Sequence, residues 1–151
     1  MEHQINRFII RVYGIVFNDK AELLVSDEKY QGTYMTKFVG GGLEFGEGPV
    51  DCLKREFLEE CGVEIIPGRI FHVTDQFVQS AFHPEGQLLS IYFFAKFKND
   101  FQASETVPPH PWKDGAQFFR WQALENFDEK TLTWPTDQAV IHRLKTEGIR
   151  C

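Results

Sequence analysis

The chain has 151 residues with 22 acidic and 16 basic side chains, a formal net charge of −6. That length suggests one domain, residues 1–151, able to fold without disulfides, and 42% apolar against 25% charged residues excludes an intrinsically disordered chain. The acidic balance excludes a nucleic-acid coat, which neutralises phosphates with clustered Lys and Arg, but leaves room for small phosphorylated ligands held through a metal. Cys52, Cys61 and Cys151 form neither a disulfide framework nor a C-x-x-C pair, Met1 to Asn6 is polar rather than leader-like, and no apolar run approaches the ~20 residues of a membrane span. The expectation is a soluble cytoplasmic protein with reduced thiols, acting on neither a membrane nor a nucleic-acid polymer.

In chain order, Arg7 to Phe17 is rich in β-branched and aromatic residues and reads as a strand. Asn18-Asp19-Lys20 reads as a turn into a second strand, Ala21 to Ser26, so a hairpin is expected. Tyr34 to Val39 predicts a short strand that ends at Gly40-Gly41-Gly42, where backbone can approach something closely. Pro49 to Cys61 predicts a helix, with Pro49 suited to its first position and Gly62 to the position past its end. Val50, Leu53, Phe57 and Cys61 would form its core-facing stripe.

Val63 to Ile66 is expected to be a short strand stopped by Pro67-Gly68, followed by a long strand from Arg69 to Ala81. A turn at 83–86 precedes the clearest strand, Leu88 to Lys98. Asn99 to Gly115 carries three prolines and little periodicity, a loop longer than packing needs. Ala116 to Trp121 reads as the last strand, and Thr136 to Thr146 as a terminal helix opened by Trp134-Pro135. The order predicts a mixed α/β domain with helices packed on a sheet.

The helix carries Glu56, Glu59 and Glu60 at i, i+3 and i+4, so three carboxylates share one face. Their mutual repulsion is offset by a hard divalent cation with oxygen ligands or by solvent on an acidic surface. Glu47 can reach toward the same face, and the helix start with its glycine approach offers N–H groups to phosphate oxygens.

Gly41, five residues, Glu47, seven residues, then Arg55-Glu56-Phe57-Leu58-Glu59-Glu60-Cys61-Gly62-Val63 fits G-x5-E-x7-R-E-U-x-E-E-x-G-U, with U a bulky apolar residue. Nine specified positions match, which average residue frequencies produce by chance in about 10⁻⁸ of such chains, so composition does not explain the pattern. It resembles the signature of the Nudix hydrolases. The resemblance implies an α/β/α sandwich with a mixed β-sheet, the box helix and a C-terminal helix. It also implies hydrolysis of a nucleoside diphosphate linked to another moiety with Mg²⁺ or Mn²⁺. Carried over to this chain, it makes Glu56, Glu59 and Glu60 metal ligands, with the Gly41 carbonyl contributing. Glu47 would be a further ligand or a helper of the catalytic water, and Arg55 would orient a box glutamate.

A carboxylate, most simply Glu56 or Glu59, would take the proton from the attacking water, with Asp100, Glu105 and Asp114 of the long loop as other candidates, Glu105 first. Arg11 could meet a phosphate or base. Among Tyr34, Phe45, Phe82 and Trp112, the pair Phe45 and Trp112 is preferred for stacking on a base. Val39 stands where the family often has proline, and Cys52 where a small residue, often alanine, is usual; close packing explains Cys52. The histidines read as structural or exposed, and Trp121 and Trp134 as packing anchors.

A nucleoside triphosphate or nucleotide sugar is the default substrate, because the marks that resemblance associates with ADP-ribose or dinucleoside polyphosphate enzymes are absent around Phe77 and Val78. The other readings are a non-catalytic nucleotide-binding or sensor module and an isoprenoid-isomerase-like enzyme. The first is disfavoured by the four intact box glutamates and the second by the lack of a Cys/His pattern. A homodimer is compatible with the sequence.

Overall fold

A computed structural model describes residues 4–104 and 106–148. Its strands are β1 (Arg7–Val16), β2 (Glu22–Tyr30), β3 (Thr33–Lys37), β4 (Val39–Gly42), β5 (Ile65–Val73), β6 (Gly86–Phe97) and β7 (Gln117–Ala123). The helices are α1 (Pro49–Cys61) and α2 (Pro135–Glu147), with a short 3₁₀ turn at Glu129–Thr131 before α2. A four-stranded mixed sheet has the order β4-β1-β6-β5, and a three-stranded antiparallel sheet the order β3-β2-β7. The β1–β6 pair is parallel, from Arg7 opposite Gly86 to Val16 opposite Ala95.

Alternation along the strands divides the core between the helices. Tyr13, Ile15, Leu23, Val25, Tyr92 and Phe94 pack with Val140, Ile141 and Leu144 of α2. Val12, Val16, Leu24 and Phe93 pack with Leu53 and Phe57 of α1. The two helices therefore cover opposite faces, which is the expected α/β/α layering.

α1 has the residue limits read from the sequence. Pro49 opens it, and Gly62 closes it at φ 69°, where its N–H donates to the Leu58 carbonyl. The stripe is shifted, however. Cys52, Leu53 and Phe57 are buried, whereas Val50 is exposed.

Three strand expectations are corrected. β1 and β2 form no extended hairpin: past a single bridge between Phe17 and Leu23 they enter different sheets. Both edges of β1 are taken by β4 and β6, and both edges of β2 by β3 and β7. The glycine triplet does not end regular structure, because Gly40, Gly41 and Gly42 are β4 residues paired with Tyr13, Val12 and Arg11. Pro67-Gly68 does not stop a strand either. β5 runs through them with register shifts beside Ile70, tolerated because β5 is an edge strand with no partner on its other side among the described residues. The long strand expected from Arg69 accordingly ends at Val73, and residues beyond it form an irregular loop with one bridge, Gln79 to Gln87.

The long segment between β6 and β7 is a loop, as expected. It is pinned to β2 and β3: Lys29 donates to the Trp112 carbonyl at 2.9 Å, the Trp112 N–H to the Tyr34 hydroxyl at 3.1 Å, and the Gly32 N–H to Asp114 at 3.0 Å. Among the described residues no helix is long and apolar enough to cross a membrane.

Candidate active site

β4 and α1 meet where Gly41 faces Glu56. A Cβ on Gly41 would overlap the Glu56 carboxylate, so a larger residue here would displace that side chain. Cys52 fills the neighbouring space completely buried, with Sγ 3.5 Å from the Gly42 carbonyl. Burial pushes its thiol up to about 12, which fits a packing residue rather than a nucleophile.

Arg55 organises the carboxylates. Its Nε donates to Glu47 Oε2 at 3.0 Å and its Nη2 to Glu47 Oε1 at 2.7 Å. Nη1 donates to Glu56 at 2.9 Å and to Glu59 at 3.3 Å, and Nη2 also reaches the Gly42 carbonyl at 3.0 Å. The Arg55 bond, with the Glu44 N–H, holds the Glu47 carboxyl down at about 2.

A cavity of about 610 Å³ opens beside this cluster. Its lining includes Gly41, Glu56, Glu60, Arg11, Lys37 and Glu28. Glu60 is mostly buried, its Oε2 has no hydrogen-bond partner among the described residues, and burial pushes its carboxyl up to about 7. Lys37 pairs with Glu28 at 3.0 Å. Arg11 Nε donates to the Tyr13 hydroxyl at 2.9 Å. Burial lowers the pKa of both cations, but Tyr13 and Glu60 outweigh it, together with Glu28 at Lys37 and Glu56 at Arg11, so each stays above its usual value. The lining also holds an aromatic cluster: Phe82 meets Tyr30 edge to face at 5.1 Å and Trp134 at 5.9 Å.

The structure thus brings Arg11, Gly41, Glu56 and Glu60 to one cavity. Glu59 stays largely exposed on the Arg55 side, outside the lining. Among the described residues, no group of three His, Cys, Asp or Glu is preassembled around a metal position. Phe45 is fully exposed, and neither it nor Trp112 lines the cavity. The indole of Trp112 packs on Tyr34, His110 and Phe118. Asp100 and Asp114 also lie off the cavity, and Glu105 lies outside the described residues.

Sequence reasoning missed Glu28, Lys37, Tyr13 and Tyr30, and took Trp134 for a packing anchor. A usable signal was present: Glu28 follows the apolar run Leu23-Leu24-Val25 of β2, and Lys37 closes β3 just before Phe38 and Val39.

The fold and the box geometry together define a Nudix hydrolase. The sequence matches the NUDIX domain family over residues 7–144, and the chain belongs to that family. Solved structures agree on the fold. A NUDIX hydrolase from Nitrosomonas europaea superposes with a TM-score of 0.70 at 18% identity, covering 92% of this chain and 89% of that one. A MutT protein from Methanosarcina mazei Go1 gives 0.69 at 21% identity, covering 99% of each chain. An ADP-ribose pyrophosphatase from Streptococcus suis gives 0.56 at 14% identity, covering 93% of this chain and 94% of that one.

Proposed function

We propose that this Nudix hydrolase cleaves the diphosphate linkage of a small cytoplasmic nucleotide with the help of Mg²⁺ or Mn²⁺, a nucleoside triphosphate or nucleotide sugar being favoured. The observation that carries this is a single cavity lined by carboxylates, cations and three aromatic rings together. The donor set fits a hard divalent ion. Glu60 presents a buried carboxylate oxygen without a partner among the described residues, and Gly41 leaves room for the Glu56 carboxylate. Glu56, Glu59, Glu60 and the Gly41 carbonyl would hold the ion, Glu59 swinging in from the Arg55 side. When bound, the ion supplies positive charge at the phosphate oxygens and acidifies water.

The chain's own residues do the rest. Arg11 and Lys37 offer further charge to the phosphates. Arg55 fixes Glu47 and Glu56, so that Glu56 or Glu59 accepts the proton of the attacking water. Tyr30, Phe82 and Trp134 take the flat face of the base. The test is a panel of nucleoside triphosphates, nucleotide sugars, dinucleotides and ADP-ribose with Mg²⁺, read by product release. Turnover of at least one class is expected. Binding without turnover of any member would leave the non-catalytic module instead.

A further inference from the structure

The half of the four-stranded sheet that forms a cavity wall has a second face. Ile9, Arg11, Tyr13, Leu88 and Ser90 point into the cavity. Their neighbours along β1 and β6 point the other way, onto the face that carries α1. α1 covers Val12 and Phe93 there. Beyond the helix, Phe8 and Ile10 of β1 continue the face of Val12, and Leu89 and Ile91 of β6 continue that of Phe93. Ile10 stands opposite Leu89, and Val73 and Ile70 of β5 stand opposite Ile91 and Phe93, so all six share this face. Phe8 is 75% exposed, Ile70 49%, Val73 41% and Leu89 36%.

We infer that this face is the contact between two copies of the chain, related by a two-fold axis and stacked sheet against sheet. Three observations select a second copy. The six side chains are all apolar, and no charged residue stands at these register positions, so nothing there chooses a charged partner. The four most exposed offer roughly 400 Å² of apolar surface, the scale at which a patch marks an interface. Two such patches bury roughly 800 Å² of apolar surface, which at the ~65% apolar share of a homodimer interface implies about 1,200 Å² in all, the lower end for a stable complex. The edge of β5 does not favour strand addition as the alternative, because Pro67 lacks an N–H and the ladder shifts register beside Ile70. Face-to-face stacking of apolar sheets needs no backbone partner.

The measurement is molar mass by light scattering and sedimentation between roughly 1 and 100 µM, since a dimer responds to concentration. The wild-type chain is expected to be a dimer. Phe8→Lys and Val73→Lys each place two like charges at a two-fold contact and are expected to weaken it about 100-fold. Both positions are exposed, so far-UV circular dichroism should be unchanged and report an intact fold. Ile66→Lys, opposite Lys96 on the other face of β5, should leave the dimer in place. A wild-type monomer throughout overturns the inference and assigns the face to another occupant. A dimer that survives both Phe8→Lys and Val73→Lys, or that only Ile66→Lys disrupts, overturns it as well.

Discussion

Arg55 grips Glu47 with two parallel hydrogen bonds, 3.0 Å and 2.7 Å long, while its remaining N–H groups span Glu56, Glu59 and the Gly42 carbonyl. One guanidinium thereby fixes the loop before α1, the helix face and the end of β4. Lysine keeps the charge but cannot reproduce the planar fork. Arg55→Lys should therefore lower activity or apparent Mg²⁺ affinity about 10- to 100-fold, the usual cost of losing an orienting partner behind metal ligands. Kinetics over a Mg²⁺ titration measures this, and unchanged kinetics would reduce Arg55 to a surface ion pair.

Gly41 and Glu56 are coupled by space rather than by charge. Gly41→Ala should push the Glu56 carboxylate off its Arg55 bond and cost about 1 kcal/mol of stability. In a Glu56→Ala background the same change should cost clearly less. Denaturant unfolding of the four proteins gives the coupling energy, expected at roughly 1 kcal/mol. Strict additivity would mean that β4 moves aside instead.

The aromatic lining of the cavity separates two sets of rings. Trp134→Ala should raise KM about 10- to 100-fold, from the roughly 1–3 kcal/mol that a stacked base contributes. Phe45→Ala should leave KM unchanged, because that ring is fully exposed and outside the cavity. Trp112→Ala should lower Tm without moving KM, since its indole N–H donates to the Pro108 carbonyl and its ring packs on Tyr34, His110 and Phe118. A KM effect at Trp112 with none at Trp134 would reverse the assignment.

The contrast between those rings shows what the sequence could convey. α1 was legible to the residue because its signals are local: Pro49 at the start, Gly62 in a left-handed conformation at the end, and glutamates at helical spacing. The box part of the site came with it. The aromatic part did not, because Tyr30, Phe82 and Trp134 come from three distant segments, and only the tertiary fold brings them together. The parting of β1 and β2 was hidden for the same reason. The turn between them is a local signal, whereas the choice of sheet is made by long-range partners.

Asp137 lies 1% exposed at the start of α2, with Oδ1 accepting from the Tyr92 hydroxyl and Oδ2 without a partner among the described residues. Burial pushes its carboxyl from the usual 3.8 up to about 6, against the Tyr92 bond and the opposing pull of Lys37 and Arg11. The folded chain thus holds this proton more tightly than the unfolded one. The group's contribution to stability is therefore fully present below the unfolded pKa and is lost as pH rises through the folded pKa. Asparagine imitates the protonated acid at every pH. Asp137→Asn should match the wild type at low pH and gain on it as pH rises toward 6, by up to roughly 3 kcal/mol on the plateau above. Paired urea titrations across pH 4 to 8 measure the gap, and the wild-type-minus-variant difference cancels the other carboxylates. A constant gap over that range would mean that Asp137 stays ionised in the folded chain, and that its unpartnered oxygen is satisfied by solvent.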